Sequence, residues 1–237
     1  RFPENLSETG LFQSVANNQV TPGVIPYSVN VPFWSDGADK DRFLALPGKS
    51  HIQFKEEGAW QFEGGTVAVK SFALEMETGN PSSRQRIETR IMVKQDDHWA
   101  GYTYAWNNIQ SEAKLVEAQG LDQTYTIRDL SVPGGLRQQV WHYPSRQECM
   151  FCHSRAAGFI LGLNTRQMNR QHDHQGTAVN QLQNFNQLGI FQEPLQKAVE
   201  EYPSLPNPFG EEVNLEKRVK TYLQVNCAMC HVPSGGG

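Results

Sequence analysis

The chain has 237 residues, of which 38% are hydrophobic and 19% are charged, and its formal net charge is −4. This composition excludes a disordered chain, and the mild acidity gives no reason to expect nucleic acid as a partner. No apolar run approaches the roughly 20 residues that a membrane-spanning helix needs. We therefore expect a globular protein with one large domain or two smaller ones and no transmembrane segment.

Residues 1–144 are predicted to form a β-rich domain. Polar and apolar residues alternate from Thr66 to Leu74, which is typical of a strand with one buried face. The stretches 86–94 and 99–106 are predicted to pair as a hairpin. In the second of these strands three aromatic residues share one face, namely Tyr102, Tyr104 and Trp106. Gly and Pro recur about every ten residues, so we expect an antiparallel β-sandwich or barrel-like arrangement.

The remaining chain is predicted to be mainly helical. Residues 145–210 hold two predicted helical stretches, at 148–163 and 181–201. A proline-rich linker then leads to residues 211–237, where Asn214 is expected to cap a helix with an apolar stripe. The expected fold class is therefore α+β, with an antiparallel β domain followed by a mainly helical region.

All four cysteines fall in two copies of one motif. Residues 149–153 read CMFCH and residues 227–231 read CAMCH. In a CxxCH motif the two thiols attach to the vinyl groups of haem, and the following His binds the iron. We therefore predict two covalent haems c, with the thioether and iron-ligand positions at Cys149, Cys152, Cys227, Cys230, His153 and His231.

Two other interpretations use the same cysteines. A structural zinc site joins two CxxC pairs that lie about 15–20 residues apart, whereas these two pairs are much further apart. A thioredoxin-type disulfide site expects a βαβ setting, which this sequence does not show, and it leaves both histidines unexplained.

The second axial ligand of each haem decides the chemistry of its iron. For the first haem the sequence offers Met168, which follows His153 closely enough for a short loop to fold over the iron. A core methionine at helical spacing explains Met168 equally well. The alternatives are His142, on a predicted strand whose neighbour Trp141 points inward, and the pair His172 and His174 in a polar stretch.

An acidic stretch near the front of the chain offers a calcium site as a further alternative. Asp36, Asp39 and Asp41 could bind calcium in a tight loop, but their order does not match the EF-hand pattern, and an acidic glycine turn explains them as well. The aromatic-rich strands could also bind a carbohydrate by stacking, although aromatic residues on strands are more often core residues.

The motifs and their surroundings resemble a family of secreted bacterial proteins of largely unknown function. The similar segments include 32–40, 101–107, 143–153 and 161–169. The resemblance implies a β-rich front, two haems c and, in some members, an association with quinoprotein sugar dehydrogenase-like propellers. The segment 222–234 resembles the start of a class I cytochrome c domain, so we expect the natural chain to continue beyond Gly237.

The leading functional hypothesis is electron transfer by a dihaem c-type cytochrome. Its expected partner is a redox protein, either a dehydrogenase or another cytochrome. Haem c is attached outside the cytoplasm, so we expect a periplasmic or extracellular location, with a lipid anchor at a preceding cysteine as an alternative. The competing hypotheses are a peroxidase-like dihaem enzyme with one open iron, and a β module that binds a carbohydrate or a partner protein and carries haems.

Overall fold

The computed structural model describes residues 2–174, 176–228 and 231. Its strands are β1 Phe12–Ser14, β2 Gln19–Val20, β3 Val24–Pro26, β4 Asp39–Ala45, β5 Ile52–Gln53, β6 Gln61–Phe62, β7 Val67–Glu75, β8 Arg84–Gln95, β9 His98–Trp106, β10 Ala113–Leu115, β11 Leu121–Arg128, β12 Leu136–Tyr143, β13 Gln171–His174 and β14 Thr177–Asn180. Its α-helices are α1 Arg146–Cys152, α2 Thr165–Met168, α3 Gln181–Gln187 and α4 Leu215–Asn226.

Six strands form one antiparallel sheet, in the order β10-β9-β8-β7-β4-β3. Its longest hairpin, β8–β9, turns at Asp96 and Asp97, and Asp96 adopts the left-handed conformation (φ of 49°) that this tight turn requires. The predicted hairpin is therefore confirmed. Four two-stranded ribbons, β1–β2, β5–β6, β11–β12 and β13–β14, lie outside the sheet in the described part of the chain.

The N-terminal segment covers one face of the sheet. Tyr104 and Trp106 point to this face from β9, and the partly buried Tyr102 packs there too, so the prediction of a shared face is confirmed. Period-two alternation places the other buried members of this face on neighbouring strands. The cluster contains Leu6, Leu11, Phe12, Val15, Phe43, Val69, Ile91, Tyr104, Trp106 and Ala113.

The opposite face is covered mainly by the second half of the chain. Leu44 and Met92 on the sheet pack in one hydrophobic cluster with Trp60 and with residues as distant as Phe185 and Tyr202. The predicted regions 1–144 and 145–210 therefore share a hydrophobic cluster. The domain boundaries themselves stay a prediction.

The β11–β12 ribbon closes one end of this second face. Ile127, Trp141 and Tyr143 pack on Phe72 and Ile87 of the sheet. The indole nitrogen of Trp141 donates a hydrogen bond to the fully buried carboxylate of Glu88, at 2.9 Å. The ribbon thus fixes the point from which the chain enters α1.

The predicted fold class is wrong. Strands account for 35% of the structure and helices for 19%, and the four α-helices described are short, with 7, 4, 7 and 12 residues. Within the described ranges no mainly helical region follows the β part, and one six-stranded sheet with flanking ribbons replaces the expected sandwich or barrel. No helix within the described ranges is long and apolar enough to cross a membrane, in agreement with the prediction of no transmembrane segment.

Local sequence explains why the predicted helices are short. The stretch 148–163 is helical only to Cys152, and Gly158 then adopts a φ of 74°, which helix does not allow. The stretch 181–201 stops at Gln187, because Gly189 is left-handed and Pro194 follows. The predicted cap at Asn214 is confirmed, since its side chain accepts a hydrogen bond from the amide of Glu216.

The sheet core gives a direct test of the fold. Ile91 is fully buried, whereas Ile109 is 81% exposed. We expect Ile91→Ala to lower the free energy of unfolding by about 2–5 kcal/mol, because it leaves a cavity in the core. Ile109→Ala is the matched control and is expected to change it by less than about 0.5 kcal/mol. Urea unfolding measures both, and similar losses in the two variants would contradict this packing.

Candidate functional site

Helix α1, which carries the first CxxCH motif, begins with a capping box. The Ser145 hydroxyl accepts a hydrogen bond from the Glu148 amide at 3.2 Å, and the Glu148 carboxylate accepts one from the Ser145 amide at 2.7 Å. The hydrogen bonds from Ser145 lower the pKa of Glu148 to about 2, so this carboxylate is charged at neutral pH. The box fixes the start of the helix, and about two turns later the chain reaches Cys152 and His153.

Helix α1 packs against β9 at Gly101. A Cβ atom on Gly101 would lie 2.9 Å from both the Cβ and the Sγ of Cys149, closer than side chains tolerate, and 3.2 Å from the sulfur of Met92. Only glycine therefore lets α1 approach this closely. The contact places the first cysteine of the motif directly on the sheet.

A cavity lies between α1, the second face of the sheet and the segment that follows α1. We call it the α1 cavity. The two cysteines and the histidine of the motif, Cys149, Cys152 and His153, line it. Its apolar walls come from Tyr27, Val29, Val31, Phe33, Phe72, Met92, Ile160, Leu161 and Val225. The sequence-predicted residues of the first motif are thus brought together at one place.

The His153 ring is held by a backbone carbonyl. Its Nδ1 lies 2.5 Å from the carbonyl oxygen of Phe159, and because a carbonyl only accepts, Nδ1 carries the proton. Burial lowers the pKa of His153 to about 4, and the positive charge of Lys70 adds to this effect. The imidazole is therefore neutral, with an unprotonated Nε2. This is the tautomer and the orientation that a backbone carbonyl imposes on metal-binding histidines.

Three cations border the same cavity, from three neighbouring strands. Arg42 of β4, Lys70 of β7 and Arg90 of β8 occupy paired positions across the sheet, and we call them the cation row. Burial lowers the pKa of Lys70 to about 7, and the charges of Arg42 and Arg90 lower it as well. The α1 cavity is therefore apolar along α1 and positively charged at the sheet.

The structure does not bring the predicted distal ligands to His153. Met168 is fully buried in the hydrophobic cluster of the second face, and it is not among the described residues that line the α1 cavity. His142 points outward, and its two ring nitrogens contact Asp122 at 2.6 Å and Glu148 at 3.2 Å. His172 contacts the hydroxyl of Ser28 at 2.9 Å, and the side chain of His174 lies outside the described residues.

The second motif begins at the end of α4. Cys227 is exposed, and the amide of His231 donates a hydrogen bond to the carbonyl of Cys227 at 3.0 Å. Cys230 lies outside the described residues. The apolar stripe predicted for α4 is largely exposed, as Leu215 at 68% shows, while Val225 is buried and lines the α1 cavity.

A second, larger cavity of about 930 Å³ also borders the segment that follows α1. Gln224 and Ala228 from the region of the second motif border it, and Trp60 and Trp99 contribute apolar wall. The segment from Ile160 to Gly162 borders both cavities. Residues of both CxxCH regions therefore line cavities that this short segment borders.

Sequence reasoning missed the cation row and Met92. Strand alternation determines the face on which these residues lie. Lys70, Arg90 and Met92 point to the face opposite Val69 and Ile91. The sequence could have indicated the cation row in one way: alternation assigns Lys70 and Arg90, which are charged, to a face of the sheet that is expected to be buried. The sequence did not indicate that the three strands are neighbours in register.

Metal binding is predicted from the sequence. The prediction is wrong for a metal ion held by protein side chains alone. No three or more His, Cys, Asp or Glu side chains gather around a common point within the described ranges. Two of the three candidate calcium ligands, Asp39 and Asp41, contact Arg84, at 3.7 and 3.0 Å. Helix content is low as well, so neither the helix content nor a cluster of metal-binding side chains in the described residues supports a cytochrome.

Comparison with protein-family models, with characterised proteins and with solved structures gives no significant match for this chain.

The contact between Gly101 and Cys149 can be tested by adding one methyl group. We expect Gly101→Ala to lower the free energy of unfolding by about 1–3 kcal/mol, because the methyl group overpacks the contact between β9 and α1. Gly64→Ala is the matched control, since a Cβ there would meet only the Asp96 amide nitrogen, at 3.9 Å. Urea unfolding measures both variants. Equal stability of Gly101→Ala and the wild type would contradict the packing of α1 on Gly101.

Proposed function

We propose that this chain is a c-type cytochrome that holds haem at both CxxCH motifs and relays single electrons outside the cytoplasm. The observation that carries the proposal is at the first motif. Cys149, Cys152 and His153 line one cavity, and the Phe159 carbonyl holds the His153 ring with its Nε2 unprotonated. The proposal also includes membership of the family of secreted dihaem proteins that the sequence resembles.

The residues of the α1 cavity fit the chemical requirements of haem c. Two thiols one helical turn apart can reach two vinyl carbons, and the neutral imidazole beside them can bind iron. The cavity volume is about 160 Å³, which is less than the roughly 300–1,000 Å³ of common ligand pockets. Haem attachment therefore requires rim side chains to move outward, and Phe33, which lines the cavity and is 37% exposed, is placed to do so.

The arrangement of the two motifs supports electron relay. The chemistry that haem supplies when bound is the gain and loss of one electron. Val225 of α4 lines the α1 cavity two residues before Cys227, and the segment from Ile160 to Gly162 borders both cavities. Groups held at the two motifs would thus lie near the same short segment, which suits transfer between them.

The proposed partner is another redox protein. Phe151, inside the first motif, is 72% exposed, and Trp34, next to the rim residue Phe33, is 61% exposed. Exposed aromatic side chains beside a redox site suit the small and transient interfaces of electron-transfer partners. Because haem c is attached outside the cytoplasm, the proposed location is periplasmic or extracellular.

A count of covalent haem tests the proposal. The chain is expressed with an export signal and haem c maturation machinery, and pyridine haemochrome spectra give the number of haems per chain. We expect two haems in the wild type, one in Cys149→Ala/Cys152→Ala and one in Cys227→Ala/Cys230→Ala. Phe151→Leu, which changes an exposed residue between the first two cysteines, is the control and should keep two.

A wild-type chain that folds in this host without covalent haem would contradict the proposal.

Carbon monoxide added to the reduced protein distinguishes electron transfer from a peroxidase-like enzyme. An unchanged spectrum indicates that both irons have two axial ligands and supports electron transfer. A shifted spectrum indicates an open iron and favours the peroxidase-like enzyme.

A further inference from the structure

The cation row places like charges directly opposite one another in the sheet. Arg42 pairs with Lys70 across β4 and β7, and Lys70 pairs with Arg90 across β7 and β8. Directly opposed side chains have Cβ atoms about 5 Å apart, and like charges at such positions destabilise a sheet. The row therefore needs negative charge nearby.

The described residues supply one carboxylate to this row. Glu88 accepts two hydrogen bonds from the guanidinium of Arg90, at 2.6 and 3.0 Å, and is fully buried. The guanidinium of Arg42 donates instead to the backbone carbonyl of Lys40, at 3.2 Å. No carboxylate in the described part of the chain forms an ion pair with Arg42 or Lys70. Two of the three cations are thus left without a carboxylate.

The row lies one strand step from the cysteines. On the same face of the sheet Met92 pairs with Gly101, and Gly101 contacts Cys149. Met92 lies two residues beyond Arg90 on β8, which corresponds to about 7 Å along the strand. A planar cofactor attached at Cys149 could extend along this face of the sheet. The edge furthest from Cys149 would then reach the cation row.

We propose that the cation row binds the two carboxylates of the group attached to Cys149 and Cys152, which in haem are the propionates on the edge opposite the vinyl carbons. This assignment rests on the proposed function. Two propionates and Glu88 together balance the charges of Arg42, Lys70 and Arg90. The planar guanidinium of Arg42 also matches a carboxylate in shape, with two parallel hydrogen bonds.

The midpoint potential of the haem-loaded full chain tests this assignment. We compare Lys70→Met and Arg42→Gln with Lys114→Met, which removes an exposed cation from β10 of the same sheet. Loss of a cation beside two carboxylates favours the oxidised iron, which carries more positive charge. We expect both test variants to keep the wild-type haem content and to shift the one-electron equilibrium of one haem at least tenfold towards oxidation, which is about 59 mV.

Lys114→Met should keep the wild-type potentials, and so should Lys70→Arg, which retains the charge. A shift in Lys70→Arg as large as that in Lys70→Met would overturn the assignment. Unchanged potentials in Lys70→Met and Arg42→Gln, at normal haem content, would also overturn it while leaving haem attachment intact.

A wild-type chain without haem would instead mean that the proposed function has failed. In that case inorganic phosphate is added to the haem-free chain and thermal unfolding is followed. Stabilisation of the wild type but not of Lys70→Met would assign the row to a free anion and overturn the propionate assignment.

Discussion

The close approach of α1 to the sheet at Gly101 determines where the first CxxCH motif lies. Because Gly101 has no side chain, Cys149 packs directly on β9, and the rest of α1 follows from that point. The capping box of Ser145 and Glu148 sets the direction of the helix. Cys152 and His153 then face the same cavity as Cys149, so three residues that are neighbours in sequence also share one space.

The sheet beneath α1 is unusual because its second face changes character along the strands. Near Met92 this face is apolar and belongs to the hydrophobic cluster of the second face. One strand step away it carries the cation row, with Glu88 buried beside Arg90. Such a face is costly for a sheet that only needs to fold, because both burial and mutual repulsion oppose the charges. It suits a ligand that is apolar at one edge and anionic at the other.

The sequence predicts the parts of this structure that depend on short-range rules. The β8–β9 hairpin, the shared face of Tyr104 and Trp106 and the cap at Asn214 all follow from local patterns. The predicted helical region is wrong, because His153 leaves helical geometry at the end of α1 and the left-handed Gly189 follows the end of α3. The cation row needs the order and register of three strands, and register arises from contacts distant in sequence. The sequence therefore identifies the cysteines of the site. It does not identify the cation row on the sheet that borders the same cavity.

The most direct measurement is the mass of the tryptic peptide that spans the first motif. Cleavage after Arg146 and Arg155 releases residues 147–155, which contain Cys149, Cys152 and His153. If the α1 cavity holds haem c, this peptide from the exported protein will carry the added mass of one haem and its visible absorption. The same peptide at its unmodified mass, from a folded and exported protein, would contradict the central claim.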